Sequence, residues 1–189
     1  MISSRPRLGL LAAAAGLAAL VVACDTPLGL PAASEENTVD TVSLWSLDST
    51  ALSLPSAYQL VPKGTVRTDR SSSFDFAFDI DSLGRPVFLP TGALGLGVAS
   101  GLLRQTAAFD SIKTAPTAGY VTDSAFVADS GTVAIVRSRP VTCSFGATVF
   151  YYAKLKVLAF DPVDRRVDLQ ILVNQNCGYR SLKPGLPTS

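Results

Sequence analysis

From about residue 40 onward, the apolar residues of this 189-residue chain tend to recur at every second position rather than every third or fourth. That period constrains the fold more than any other feature, because side chains on a strand alternate between two faces. In "FDFAFDID", Phe74, Phe76, Phe78 and Ile80 fall on one face and Asp75, Ala77, Asp79 and Asp81 on the other. One face in a core and one in water would produce this alternation. "SLGRP" then turns the chain into "VFLP", which predicts a hairpin over residues 74–89. Upstream, "SAYQLVPKGTVRTD" reads as two short strands around a Pro-Lys-Gly turn. "GTVAIVRSR" sets Val133, Ile135 and Arg137 against Ala134, Val136 and Ser138, a strand with apolar residues on both faces.

The longest strand signals lie near the end. "ATVFYYAKLKVLAF" is rich in β-branched and aromatic residues, and "RVDLQILVN" puts Val167, Leu169, Ile171 and Val173 on one face. "DPVDRR" between them predicts an antiparallel hairpin. Lys154 and Lys156 share a face with Tyr152 and Phe150, so both lysines are expected to reach water and to discourage edge pairing. Residues 91–103 carry four glycines, which predicts a loop or broken strand rather than a helix. No segment of adequate length shows a helical stripe. The expectation is an all-β domain of antiparallel, sandwich-like sheets with at most one short helix. Its core should include Trp45, the Phe74–Ile80 face, Ile135, Leu155, Val157, Leu169 and Ile171.

The first residues follow a different rule. Arg5 and Arg7 precede an uncharged run from Leu8 to Ala23, too short for the about 20 apolar residues of a spanning helix. Arginines before it and small residues after it are the layout of a secretory leader. The run closes on Val21-Val22-Ala23-Cys24, which resembles the bacterial lipobox. That resemblance implies cleavage before Cys24 and acylation of its thiol. The alternative is an uncleaved signal anchor with an incidental cysteine. Each buried CH₂ contributes ~0.8 kcal/mol, so several acyl chains together would anchor a domain firmly. The expected division is residues 1–23 as signal peptide, 24–40 as lipidated cysteine and tether, and 41–189 as the β domain. "DTPLGLPAASEENTVD" lacks periodicity and would hold the domain about 20 Å from its anchor, at ~5–6 Å × √n.

Without residues 1–23 the chain carries 14 basic and 15 acidic residues, so it has no basic footprint for nucleic acid. With Cys24 acylated, Cys143 and Cys177 remain as an even pair in an oxidising compartment. A bridge between them would close a loop of about 35 residues and contribute roughly 3–4 kcal/mol; the alternative is two free thiols. Two cysteines make a poor metal set on their own. The chain has no histidine, and its one methionine is Met1. That excludes Ser-His-Asp and Cys-His catalysis, histidine zinc sites and histidine pH switches.

The remaining candidates are weak as chemistry. Asp79, Asp81 and Gly84 match positions one, three and six of a calcium loop, but Leu83 and Pro90 stand where oxygen ligands are needed. Asp75, Asp79 and Asp81 could offer paired carboxylates, yet strand neighbours i and i+4 lie ~13 Å apart, and solvated acids explain them at less cost. Gly92, Gly95, Gly97 and Gly101 miss the dinucleotide fingerprint. Phe150, Tyr151, Tyr152 and Tyr179 read first as core or cross-strand pairs and second as a ligand platform.

Four of these segments occur in an order that resembles the HmuY-like heme-binding lipoproteins. They are "FDFAFDI" (74–80), the glycines at 92–101, "FDSIKTAPTAGYVTD" (109–123) and "YAKLKVLAF" (152–160). The resemblance spans about residues 40–175 and implies a tethered all-β scaffold. That family holds heme iron with histidines or methionines, which the chain lacks beyond Met1, so its heme ligation is not implied here. No metal, cofactor, catalytic residue or nucleic-acid partner is expected. The expected role is a lipid-anchored extracytoplasmic binding or interaction protein of the bacterial envelope. The alternative is a structural envelope lipoprotein with protein partners only. The outer membrane or cell surface is favoured over the inner membrane, although Asp25 after the cysteine leaves that choice open.

Overall fold

The computed structural model describes residues 31–97, 99–143, 146 and 148–188, so the leader and Cys24 lie outside the described residues. Residues 33–189 form one compact unit. Its strands are β1 (Val39–Trp45), β2 (Ala57–Gln59), β3 (Gly64–Val66), β4 (Phe76–Ile80), β5 (Pro86–Pro90), β6 (Gly101–Gln105), β7 (Phe126–Val127), β8 (Val133–Arg137), β9 (Val141–Thr142), β10 (Thr148–Val149), β11 (Tyr152–Asp161) and β12 (Arg166–Asn174). One five-stranded sheet has the order β1-β12-β11-β8-β6, the other β3-β2-β4-β5-β7, and β9 and β10 form a small ribbon. All pairs are antiparallel. The all-β expectation holds.

The main core lies between the two sheets. Phe76, Phe78 and Phe88 from the second sheet meet Leu155, Val157, Val167, Leu169, Ile171 and Val173 from the first. Phe88 stands edge-on to Phe76 at 5.2 Å and to Phe78 at 6.3 Å between ring centroids. Each such ring contributes about 1.5–3 kcal/mol by burial alone. The two predicted hairpins form, and their registers set Phe78 opposite Phe88 and Leu155 opposite Ile171.

A second cluster covers the outer face of the first sheet. Phe109, Ile112 and Ala115, from the connection after β6, pack with Leu182 onto Val133, Ile135, Tyr152 and Leu172. Main-chain bonds from Ala115 N to Arg180 O and from Leu182 N to Lys113 O tie the two covering segments together. This layer explains why β8 is apolar on both faces.

It also overturns the reading of Lys154. Its residue is 1% exposed, and β11 lies in the sheet interior between β12 and β8 rather than at an edge. Three further expectations change. Asp75 is 2% exposed rather than solvated. Phe74 is buried but packs with Ala57 and Ala77 on the outer side of the second sheet, because it precedes β4 and does not share its alternation. Trp45 and Ile80 are only half-buried, and Leu44, fully buried, is the core residue of β1.

The glycine stretch becomes a short 3-10 turn (Thr91–Leu94) followed by β6. Gly95 closes that turn in the left-handed region at φ 70°. Gly92 and Gly101 serve close approach instead: a Cβ on either would collide with residues 120–123, at Gly101 within 2.7 Å of Tyr120 Cβ.

Candidate functional site

The groups of chemical interest gather where the chain enters the domain. Register places Arg137 at the end of β8 opposite both Gly101 and Tyr152, and Tyr152 opposite Asn174 at the end of β12. β1 begins beside Leu172, so residues 34–39 arrive at the same end. Three buried asparagines fasten them. Asn176 Oδ1 accepts from Ser34 N and Glu35 N at 2.8 and 3.0 Å, and its amide donates to Glu35 O at 2.7 Å. Asn174 donates to Ser181 O, and Asn37 donates to the carbonyls of Ser181 and Lys183. Residues 34–37, within the stretch read as tether, are thus bonded to the β domain.

Cys143 and Cys177 form a disulfide at this end, with Cα atoms 6.1 Å apart and a sequence separation of 34. It joins the segment after β9 to the segment after β12, and the Tyr151 hydroxyl lies 3.7 Å from Cys143 Sγ. Burial pushes the Tyr151 hydroxyl pKa up, so this phenol stays neutral.

Lys154 is held without a carboxylate partner. Its Nζ donates to Phe109 O at 3.0 Å and to Ile112 O at 3.1 Å, and lies 4.5 Å from the Phe109 ring centre. Desolvation lowers its pKa and nearby Lys113 adds to the effect, while Asp110 opposes it. The lysine pins the covering segment to the sheet. Asp75 ties the two sheets together. Its carboxylate accepts from Leu60 N at 2.7 Å and Arg139 N at 2.8 Å, with Arg139 Nε at 3.4 Å. Burial pushes its pKa up, and these donors pull it back.

The acids do not assemble the chemistry weighed from sequence. Asp79 accepts from Ser46 Oγ and from the amides of Asp48 and Ile80. Asp81 accepts from the amides of Leu83 and Arg85 and pairs with the Arg85 side chain; that amide, then that side chain, hold its pKa low. Asp79 thus holds the loop after β1, and Asp81 its own turn. Among the described residues no group of three or more His, Cys, Asp or Glu side chains could hold a metal ion. Tyr151 belongs to the main core and Tyr152 to the outer cluster.

Phe150 does something else. Its ring lies 4.6 Å from the guanidinium carbon of Arg137, and the ring of Tyr120 lies 4.9 Å away. The Tyr120 hydroxyl donates to Pro116 O at 2.8 Å. Burial raises the Tyr120 pKa and Tyr152 adds to this, while the charges of Arg137 and Arg180 oppose it. Sequence reasoning passed over Arg137, Arg180 and Tyr120 as a group because their positions are scattered along the chain. Comparison with protein-family models, curated proteins and solved structures finds no match to this chain.

Proposed function

We propose that this chain is a lipid-anchored extracytoplasmic binding or interaction protein of the bacterial envelope, tethered through Cys24 and without catalytic activity. The observation that carries the reading is the apolar leader ending on Val21-Val22-Ala23-Cys24, ahead of a disulfide-bridged β domain. A disulfide suits an oxidising compartment. Among the described residues no helix is long and apolar enough to cross a membrane. Internal use of Asp75, Asp79 and Asp81 supports a binding rather than a catalytic role. The scaffold is proposed to be HmuY-like, with heme ligation by histidine or methionine ruled out by composition. The test is fractionation of the host: the wild-type chain should sediment with membranes, and Cys24→Ala should release it or leave the leader uncut. A Cys24→Ala chain that is processed and membrane-bound like the wild type would reject the lipid anchor.

A second reading, an envelope protein with protein partners only, has one specific observation in its favour. Ser46 N bonds to Arg165 O and Leu47 N to Phe78 O, which gathers three loops at the end opposite residues 34–39. These loops expose Leu52 at 72%, Leu83 at 75% and Val163 at 88%. Cross-linking in intact cells that disappears in an L52S/L83S/V163S variant would favour this reading; unchanged cross-links would remove its support.

A further inference from the structure

The Arg137 guanidinium is fixed but unspent. Two rings flank it, and no carboxylate or carbonyl among the described residues accepts from it; its Nε is buried without a hydrogen-bond partner. A guanidinium carries five donors in a planar fork, and stacking on rings leaves the edge of that fork available. Arg104 provides the internal contrast. It too lies over a ring, 4.7 Å from the centre of Phe126, yet it donates to Val127 O and Thr132 Oγ1. Arg104 is a braced surface arginine; Arg137 has the bracing and lacks the acceptor.

A second cation stands nearby. Arg180 uses Nε on Ala115 O at 2.7 Å, and it appears in none of the ion pairs among the described residues. The bond to Ala115 O sets it next to Tyr120, whose hydroxyl donates to the carbonyl of the following residue, Pro116. We propose that Arg137, clamped between Tyr120 and Phe150 with Arg180 beside it, forms a binding site for a phosphate group. Two guanidiniums with no counter-ion among the described residues suit a dianion better than a single carboxylate, and arginine forks match phosphate oxygens in bidentate fashion. Gly101 belongs to the design: lacking a Cβ, it lets the Tyr120 Cβ and the Val121 carbonyl approach β6 at the position paired with Arg137. The site lies at the end of the sheet where residues 34–39 enter, and it stands whether or not Cys24 carries lipid. Both a lipid with a phosphomonoester headgroup and a soluble phosphate present this chemistry.

The test is calorimetric titration of inorganic phosphate into the full chain in phosphatidylcholine-doped non-ionic micelles. Saturable binding is expected, weakened about tenfold or more in Arg137→Gln and in Arg180→Gln, as loss of a charge-assisted bidentate contact predicts. Arg104→Gln should bind as the wild type does. Replacing phosphatidylcholine, a phosphodiester, with phosphatidic acid, a phosphomonoester, distinguishes the sources: loss of phosphate binding identifies the headgroup as occupant, and unchanged binding identifies a soluble ligand. Circular dichroism checks that each variant folds, and Arg180→Gln decides if Arg137→Gln does not. No saturable phosphate binding by the wild type, wild-type affinity in the arginine variants, or equal binding of acetate would overturn the proposal.

Discussion

Replacing Lys154 with methionine tests whether a buried cation without a counter-ion can still stabilise this fold. Methionine keeps most of the stem volume, so little cavity opens. What is lost are the bonds to Phe109 O and Ile112 O and the contact with the Phe109 ring. Phe109 O keeps a main-chain bond from Ile112 N, whereas Ile112 O is left with no donor among the described residues, at a cost of about 1–3 kcal/mol. The ring contact adds ~0.5–2 kcal/mol, and removing the desolvated ammonium offsets part of both. The net expectation is a loss of about 2 kcal/mol at pH 7, read by urea unfolding with the disulfide intact. Trypsin should also cut after exposed Lys113 sooner, because the covering segment loses its pin.

The pH dependence carries a sign. The Lys154 pKa lies below its ordinary 10.5, so the native state binds fewer protons than the unfolded chain between the two values. Over that window wild-type stability gains with rising pH, and the methionine variant lacks this gain. The deficit of Lys154→Met should therefore widen toward pH 10.5 and then level. Differencing the two proteins cancels the buried tyrosines 58, 120 and 151, whose pKa values are raised in both. A variant as stable as the wild type at pH 7, or a deficit that narrows with pH, would refute this reasoning.

Other outcomes follow from the same contacts. Asp75→Asn should cost about 2–4 kcal/mol in denaturant unfolding, because an amide cannot accept from Leu60 N and Arg139 together as the carboxylate does. Removing the Cys143–Cys177 bridge by a double serine substitution should cost about 3–4 kcal/mol, as expected for a closed loop with a separation of 34. Gly101→Ala should cost about 1–3 kcal/mol by forcing Tyr120 away, and should weaken phosphate binding with it. Heme added to the mature chain should give no sharp Soret band, since neither histidine nor methionine follows the leader; a tight, sharp band would identify another axial ligand.

Periodicity carried most of the strand architecture. β4–β5, β8 and β11–β12 were legible because their inward faces alternate with the pleat, and the turn residues between them have few other uses. What remained hidden depends on partners distant in sequence. The acceptors of Lys154 lie 42 and 45 residues away, and the donors to Asp75 lie 15 and 64 residues away. A charged residue on an alternating strand reads as solvent-facing unless the segment that covers it is known. Trp45 misled for the converse reason: a large aromatic ring does not force burial on edge strand β1, where Leu44 takes the inward position. The bracing of Arg137 is invisible to spacing, since Tyr120 and Phe150 reach it from two separate connections.

The central claim, a β domain fastened outside the cytoplasm by lipid on Cys24, is tested most directly by intact-mass spectrometry of the chain extracted from its host's membranes. The account predicts a polypeptide that starts at Cys24, heavier by its acyl groups and lighter by the two hydrogens lost in the Cys143–Cys177 bridge. Recovery of the chain with residues 1–23 attached and a free thiol at position 24 would contradict it.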